Sequence, residues 1–143
     1  MDDAIAITQS KLDKVLLSHG VTSHHLRRVK VDYIERDGRR IKASEDEYVV
    51  FRLISNPPRR YGDGKPLTDR AYVDVNYYYS YEKTDSRYKD VRARIKAIIK
   101  EFLSDSKIRL ANGESDIYDL DNPYRGINVE FLFIGVFDNG GQD

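Results

Sequence analysis

Apolar positions along this chain keep two different periods, and each change of period marks an element. Over residues 2–20, Ile5, Leu12, Val15, Leu16 and His19 fall on one side at helical spacing, with Thr8 and Gln9 diluting the stripe. Asp2 and Asp3 suit the positive end of such a helix, and Gly20 suits its stop. The clearest helix follows Thr84 and Asp85, either of which can cap it. There Tyr88, Val91, Ile95, Ile98, Ile99 and Phe102 recur at three- and four-residue steps, with Lys and Arg opposite. Elsewhere the period drops to two. Val29, Val31 and Tyr33 alternate with Lys30, Asp32 and Ile34, and Asp37-Gly38 predicts a tight turn into a short returning strand. The run DEYVVFRLIS (46–55) predicts a strand with Val49, Phe51 and Leu53 on one face and Tyr48, Val50, Arg52 and Ile54 on the other. In AYVDVNYYYS (71–80), Val73, Val75, Tyr77 and Tyr79 make the better core face, backed by Tyr72, Asp74, Asn76 and Tyr78. A closing strand points Ile127, Val129, Phe131 and Phe133 inward and Leu132, Ile134 and Val136 outward.

Two stretches break these rhythms. SNPPRRYGDGKPLTDRA (55–71) holds three prolines and two glycines, so it predicts a long loop between strands. Long loops in compact domains are usually functional or disordered, and this one has a mildly basic tip. KIRLANGESDIYDLDNPYRG (107–126) reads as polar connection, with at most a short strand near Ile117 and Tyr118. DNGGQD (138–143) reads as a disordered tail. The order predicts one α+β domain over residues 1–137: a mostly antiparallel sheet of four to five strands, with two helices packed on one face.

That architecture leaves a surplus. Two helices cover one sheet face, while Tyr48, Val50, Tyr78, Leu132 and Ile134 load the other, provided the registers make them neighbours. Such a patch is expected either to meet another subunit or to be covered by a small second sheet or folded-back loop of the same chain.

Composition narrows the chemistry. Lys+Arg and Asp+Glu are 24 each, so the net charge is zero, which argues against wholesale binding to nucleic acid or anionic membrane. There is no cysteine, which removes disulfides, Fe–S clusters and thiol catalysis. No apolar run approaches the roughly 20 residues that span a bilayer, and the start MDDAIAITQS does not read as a signal peptide. His24-His25, with His19 nearby, lacks the spacing and partners of a zinc site and reads as a solvated linker. Asp46-Glu47 and Asp119-Asp121 read as solvated acids in a chain rich in carboxylates. GDGK (62–65) lacks the spacing of a phosphate loop and opens no helix. No catalytic residue, cofactor or metal is expected. The tyrosine-rich strand raises a single-stranded nucleic-acid platform, but without the basic and glycine residues that flank such platforms.

Taken together, the first helix, DEYVVFRLIS, the Pro/Gly/Arg loop at 55–71, AYVDVNYYYSYEKTD leading into VRARIKAIIKEF, and the closing YRGINVEFLFIGVF form an order that resembles the tail-terminator and tail-completion (tail-to-head joining) proteins of long-tailed bacteriophages. The likeness spans most of the chain and is carried by order and texture, with no catalytic signature. It implies a structural virion protein made in the host bacterial cytoplasm and placed at the head-proximal end of the tail. Such proteins act as a ring, usually hexameric, that stops the tail tube, docks the head connector and lets DNA pass through its lumen. The resemblance implies contact with tail-tube protein, connector or stopper protein, and sister copies, and none with membrane. The loop residues Arg59, Arg60, Tyr61 and Lys65 would then face a neighbour, the lumen or DNA. A head-completion or connector protein of the same phage has similar size and composition and stands as the alternative, beside the small nucleic-acid-binding module.

Overall fold

The computed structural model describes residues 4–36, 38–55, 60–61, 65–66, 70–80, 85–117 and 124–134. Helix α1 (Ala4–Leu16) continues into a 3-10 turn (Leu17–His19) that stops at Gly20. Gly20 adopts φ +74, and a Cβ there would lie 2.7 Å from the Lys42 carbonyl oxygen, so both backbone shape and space require glycine. The buried side chains of α1 are Ala4, Thr8, Leu12 and Leu16, at four-residue steps. Thr8 therefore belongs to the stripe it was expected to dilute, and Ile5 and Val15 flank it, half-buried.

Strand β1 (Thr22–His25) lies at one edge of the main sheet, parallel to β4 (Glu47–Ser55). This corrects the reading of His24-His25 as a solvated linker. Val21, Thr22 and Ser23 are buried, and the segment pairs through its backbone without an apolar alternation to announce it. The expected strand at Val29 and Val31 starts only at Tyr33, because both valines are exposed ahead of it. The hairpin of β2 (Tyr33–Arg36) and β3 (Arg39–Lys42) forms the crossover between the parallel strands, and Gly38 at its turn has φ +75. Ile34, Leu17 and Ala43 hold it down in a small satellite core.

Strands β5 (Arg60–Tyr61) and β6 (Lys65–Pro66) pair antiparallel inside the long connection before β7 (Ala71–Ser80). Helix α2 (Asp85–Leu103) follows, then β8 (Ile108–Ile117) and β9 (Tyr124–Phe133). The sheet order is β1-β4-β7-β9-β8, antiparallel throughout except for β1 on β4. The fold is α+β, and the sheet is mixed rather than purely antiparallel. The ten-residue strand β8 replaces the expected polar connection. It is an edge strand with two register shifts and a largely exposed surface, so its backbone pairs while its side chains follow no core pattern. Tyr118, Val136 and the 138–143 tail lie outside the described residues.

The core forms where both helices meet one sheet face. Val49, Phe51, Val73, Val75, Tyr77, Ile127, Val129, Phe131 and Phe133 meet Leu12, Leu16, Val91, Ile95, Ile98 and Phe102, all essentially without solvent contact. Among the described residues, the inward and outward sets expected for β4, β7 and β9 are the sets observed, with Leu53 only half-buried, because a half-buried strand fixes its faces by period two. Among the described residues, no helix is long and apolar enough to cross a membrane.

Candidate interface on the open sheet face

Cross-strand pairing decides what shares the face opposite the helices. Tyr48 sits opposite Tyr78, and Tyr78 opposite Gly126. Val50 faces Asn76, which faces Asn128; Arg52 faces Asp74, which faces Glu130; Ile54 faces Tyr72, which faces Leu132. All of these are half-buried or exposed except Gly126, and the described helices lie on the other face.

At one end of the strands stands a tyrosine cluster. The Tyr48 and Tyr78 rings stack with centroids 5.2 Å apart, and Tyr124 meets Tyr48 edge-on at 5.5 Å. The Arg28 guanidinium lies 4.1 Å above the Tyr48 ring. The Tyr124 hydroxyl donates to the Glu45 carbonyl at 3.0 Å, which fixes that ring. Burial lifts the Tyr48 and Tyr78 hydroxyls above the ordinary tyrosine value. Arg28 pulls Tyr48 back, while Asp74 pushes Tyr78 further up. Both hydroxyls therefore stay protonated near neutral pH, as donors at the edge of an aromatic surface.

A polar belt follows. Asn128 donates from Nδ2 to Asp74 and, at 2.8 Å, to Asn76 Oδ1. Arg52 Nε donates to Asp74 at 3.4 Å. Beyond the belt comes an apolar end of Ile54, Tyr72 and Leu132, with Ile134 just past β9. At about 3.3 Å per residue, the apolar end lies roughly 20 Å from the tyrosine cluster.

The predicted interface residues therefore divide. Tyr48, Val50 and Tyr78 are neighbours; Leu132 and Ile134 stand at the other end, with the belt between. Tyr72, Tyr124 and Arg28 also belong to this face. Tyr72 shows in the alternation of its strand, whereas Tyr124 and Arg28 fall in stretches with no clear period. Of the loop residues, Arg59 lies outside the described residues, and Arg60-Tyr61 pairs with Lys65-Pro66 in the short ladder.

Gly126 makes the cluster possible. A Cβ there would come within 3.1 Å of the Tyr78 ring and 3.2 Å of Ile117 Cδ1. Gly126→Val should push the Tyr78 ring off its seat, cost about 1–2 kcal/mol by overpacking, and weaken the tyrosine signal in near-UV circular dichroism. Unchanged stability and an unchanged spectrum would show that the ring does not rest on the glycine.

The remaining candidates for chemistry are occupied structurally. His24 Nδ1 accepts from the Val29 N–H at 3.4 Å, and its Nε2 pairs with Thr22 Oγ1 at 2.7 Å. His25 stacks on Phe51 at 5.3 Å. Glu47, expected in water, is instead buried beneath α2, beside Tyr77 and Arg94. Among the described residues, no group of three or more His, Cys, Asp or Glu gathers around a common point. No protein-family model and no curated protein matches this chain.

Proposed function

We propose that the chain is a non-enzymatic structural subunit of a long-tailed bacteriophage. In this reading it caps the tail tube at its head-proximal end and joins the tail to the head connector, as a ring of identical copies residing in the virion. The observation that carries the reading is the open sheet face. Its stacked tyrosines and its Ile54–Tyr72–Leu132 end are amphipathic contact surface left over once both helices are placed. The order of elements, which resembles that of tail-completion proteins, gives the surface its context. A ring needs two unlike complementary patches on each copy, and the open face supplies one.

The test is co-sedimentation with purified tail tubes and connectors, read by electron microscopy. The wild-type chain should decorate one end of the tube. Replacing Tyr48 and Tyr78 together by Ser should weaken that binding by roughly thirtyfold or more, the scale of an aromatic anchor lost from an interface. A wild-type chain that binds neither tubes nor connectors removes the proposal. Salt-dependent binding of oligonucleotides in its place would favour the stacking platform.

A further inference from the structure

Between β1 and β2 the chain runs from Leu26 to Asp32 outside any helix or strand. Backbone hydrogen bonds pin its two ends. The Leu26 N–H donates to the Phe51 carbonyl at 2.9 Å, and the Asp32 carbonyl accepts from the Ala43 N–H at 2.9 Å. Leu26 has φ +77, the one non-glycine residue in the left-handed region among those described, so the chain leaves the sheet edge through a strained turn. Between the pins, residues 27–31 make one hydrogen bond among the described residues: the Val29 N–H donates to His24 Nδ1 at 3.4 Å. The Arg28 guanidinium above the Tyr48 ring adds a side-chain tie. Val29 and Val31 are exposed, so little burial supplements that bond.

The bond fixes the state of the ring. A nitrogen that accepts an N–H carries no proton of its own. His24 is therefore held neutral, with its proton on Nε2, where it meets Thr22 Oγ1 at 2.7 Å. A second proton can go only to Nδ1, and there it would face the Val29 N–H donor to donor. The surrounding charges pull the same way. His24 lines a cavity of about 180 Å³ together with Asp13 of α1 and Tyr33 and Glu35 of β2, and no Lys or Arg shares its walls. Arg40, 3.9 Å from Glu35, offsets part of that carboxylate's pull and leaves Asp13 the stronger one. From β4 the Cα partner of His24 is the uncharged Val50. The segment itself carries Arg27, Arg28 and Lys30 against Asp32. A cationic ring is thus drawn toward the carboxylates and repelled by the stretch it holds when neutral.

We infer that His24 is a pH-sensitive latch: its neutral ring holds the stretch 27–31 to the sheet edge, and its protonation releases that stretch and opens the cavity that Val29 and Val31 help to wall. The bond exists only with a neutral ring. The latch is therefore complete above the range in which imidazole ordinarily takes up a proton, near pH 6.5, and is lost as pH falls through it. The inference needs no partner and stands apart from the tail reading.

Nuclear magnetic resonance on the whole chain tests it. At pH 8 the His24 ring should show the Nε2–H tautomer. Between pH 8 and pH 5 the protection of the Val29 amide against hydrogen exchange, corrected for the intrinsic effect of pH, should fall roughly three- to tenfold, the scale of one hydrogen bond lost. That fall should share its midpoint with the titration of the His24 ring. The Val75 amide, on the central strand β7, should keep its protection, which separates release of the stretch from unfolding of the sheet. His24→Gln should hold the Val29 amide at one level of protection across the range, since its side chain does not titrate. His19→Gln, at an exposed histidine, should leave the pH dependence as in wild type. Equal protection of the Val29 amide at pH 5 and pH 8, an Nδ1–H tautomer at pH 8, or a pH dependence that survives in His24→Gln overturns the inference. The first two are read on the wild-type chain and do not depend on how the variants fold.

Discussion

Phe102→Ala should unfold the protein about 3–5 kcal/mol more easily than wild type, lowering its melting temperature by roughly 10–17 °C. Phe102 is fully buried on the last turns of α2. Its ring stacks on Phe131 with centroids 4.2 Å apart and planes 8° from parallel, and it meets Phe133 edge-on at 6.4 Å. Truncation removes the transfer energy of a whole ring and leaves a void between a helix and a strand, neither of which can collapse freely. Phe102→Leu keeps most of the volume and should cost about half as much. Urea unfolding of the three proteins checks this. A loss below about 1 kcal/mol for the alanine variant would mean that α2 does not clamp β9 through this cluster.

That clamp was legible in the sequence because both of its halves keep strict periods. Val91, Ile95, Ile98 and Phe102 repeat with the helix, and Phe131 and Phe133 with the strand, and all are buried. The same holds for β4 and β7, where alternation predicts every inward residue from Val49 to Tyr79. What stayed hidden are the two sheet edges. Strands β1 and β8 pair on one side only; β1 buries the small polar side chains of Thr22 and Ser23, and β8 is largely exposed, so neither shows an apolar alternation. Pairing of β1 parallel to β4 also depends on a hairpin crossover, a long-range choice that no local pattern encodes.

The open face was legible residue by residue but not in its arrangement. Alternation placed Tyr48, Tyr78 and Leu132 outward, yet only the register shows that a belt of Arg52, Asp74, Asn76, Asn128 and Glu130 separates the tyrosines from Leu132. The belt matters physically. It divides the surplus apolar surface into two smaller patches, so the face can stay in water without being flatly hydrophobic and still offer an anchor at either end. The exposed segment after β1 is illegible in the sequence for a different reason. Val29 and Val31 alternate as a buried strand would, and exposure alone shows that they are turned to solvent.

The second large effect belongs to a polar cluster inside the core. Glu47 at the start of β4 accepts from the Tyr77 hydroxyl and from Arg94 Nη1, and Arg94 also donates to the Tyr77 oxygen at 3.2 Å. Glu47 and Tyr77 are buried, while the Arg94 guanidinium keeps partial access to water. Arg94→Met should therefore cost about 3 kcal/mol, the low end for breaking a buried pair, because it strands a carboxylate beneath α2. Glu47→Gln in the same background should recover part of that loss, which a double-mutant cycle measures. Full additivity of the two changes would mean that they do not act as a pair. Tyr77 adds a pH signature. Burial, and after it the Glu47 charge, pushes its hydroxyl far above the ordinary value near 10, while Arg94 opposes the shift only in part. Below about pH 10 the proton is held in both folded and unfolded chains, and this group leaves stability unchanged with pH. Above it the unfolded chain releases the proton and the folded chain does not, so stability should fall by roughly 1.4 kcal/mol per pH unit. Tyr77→Phe should make that alkaline limb shallower, leaving the part that the raised Tyr48 and Tyr78 hydroxyls contribute, even though it loses a hydrogen bond at neutral pH. A limb of unchanged steepness in the phenylalanine variant would place the alkaline sensitivity elsewhere in the molecule.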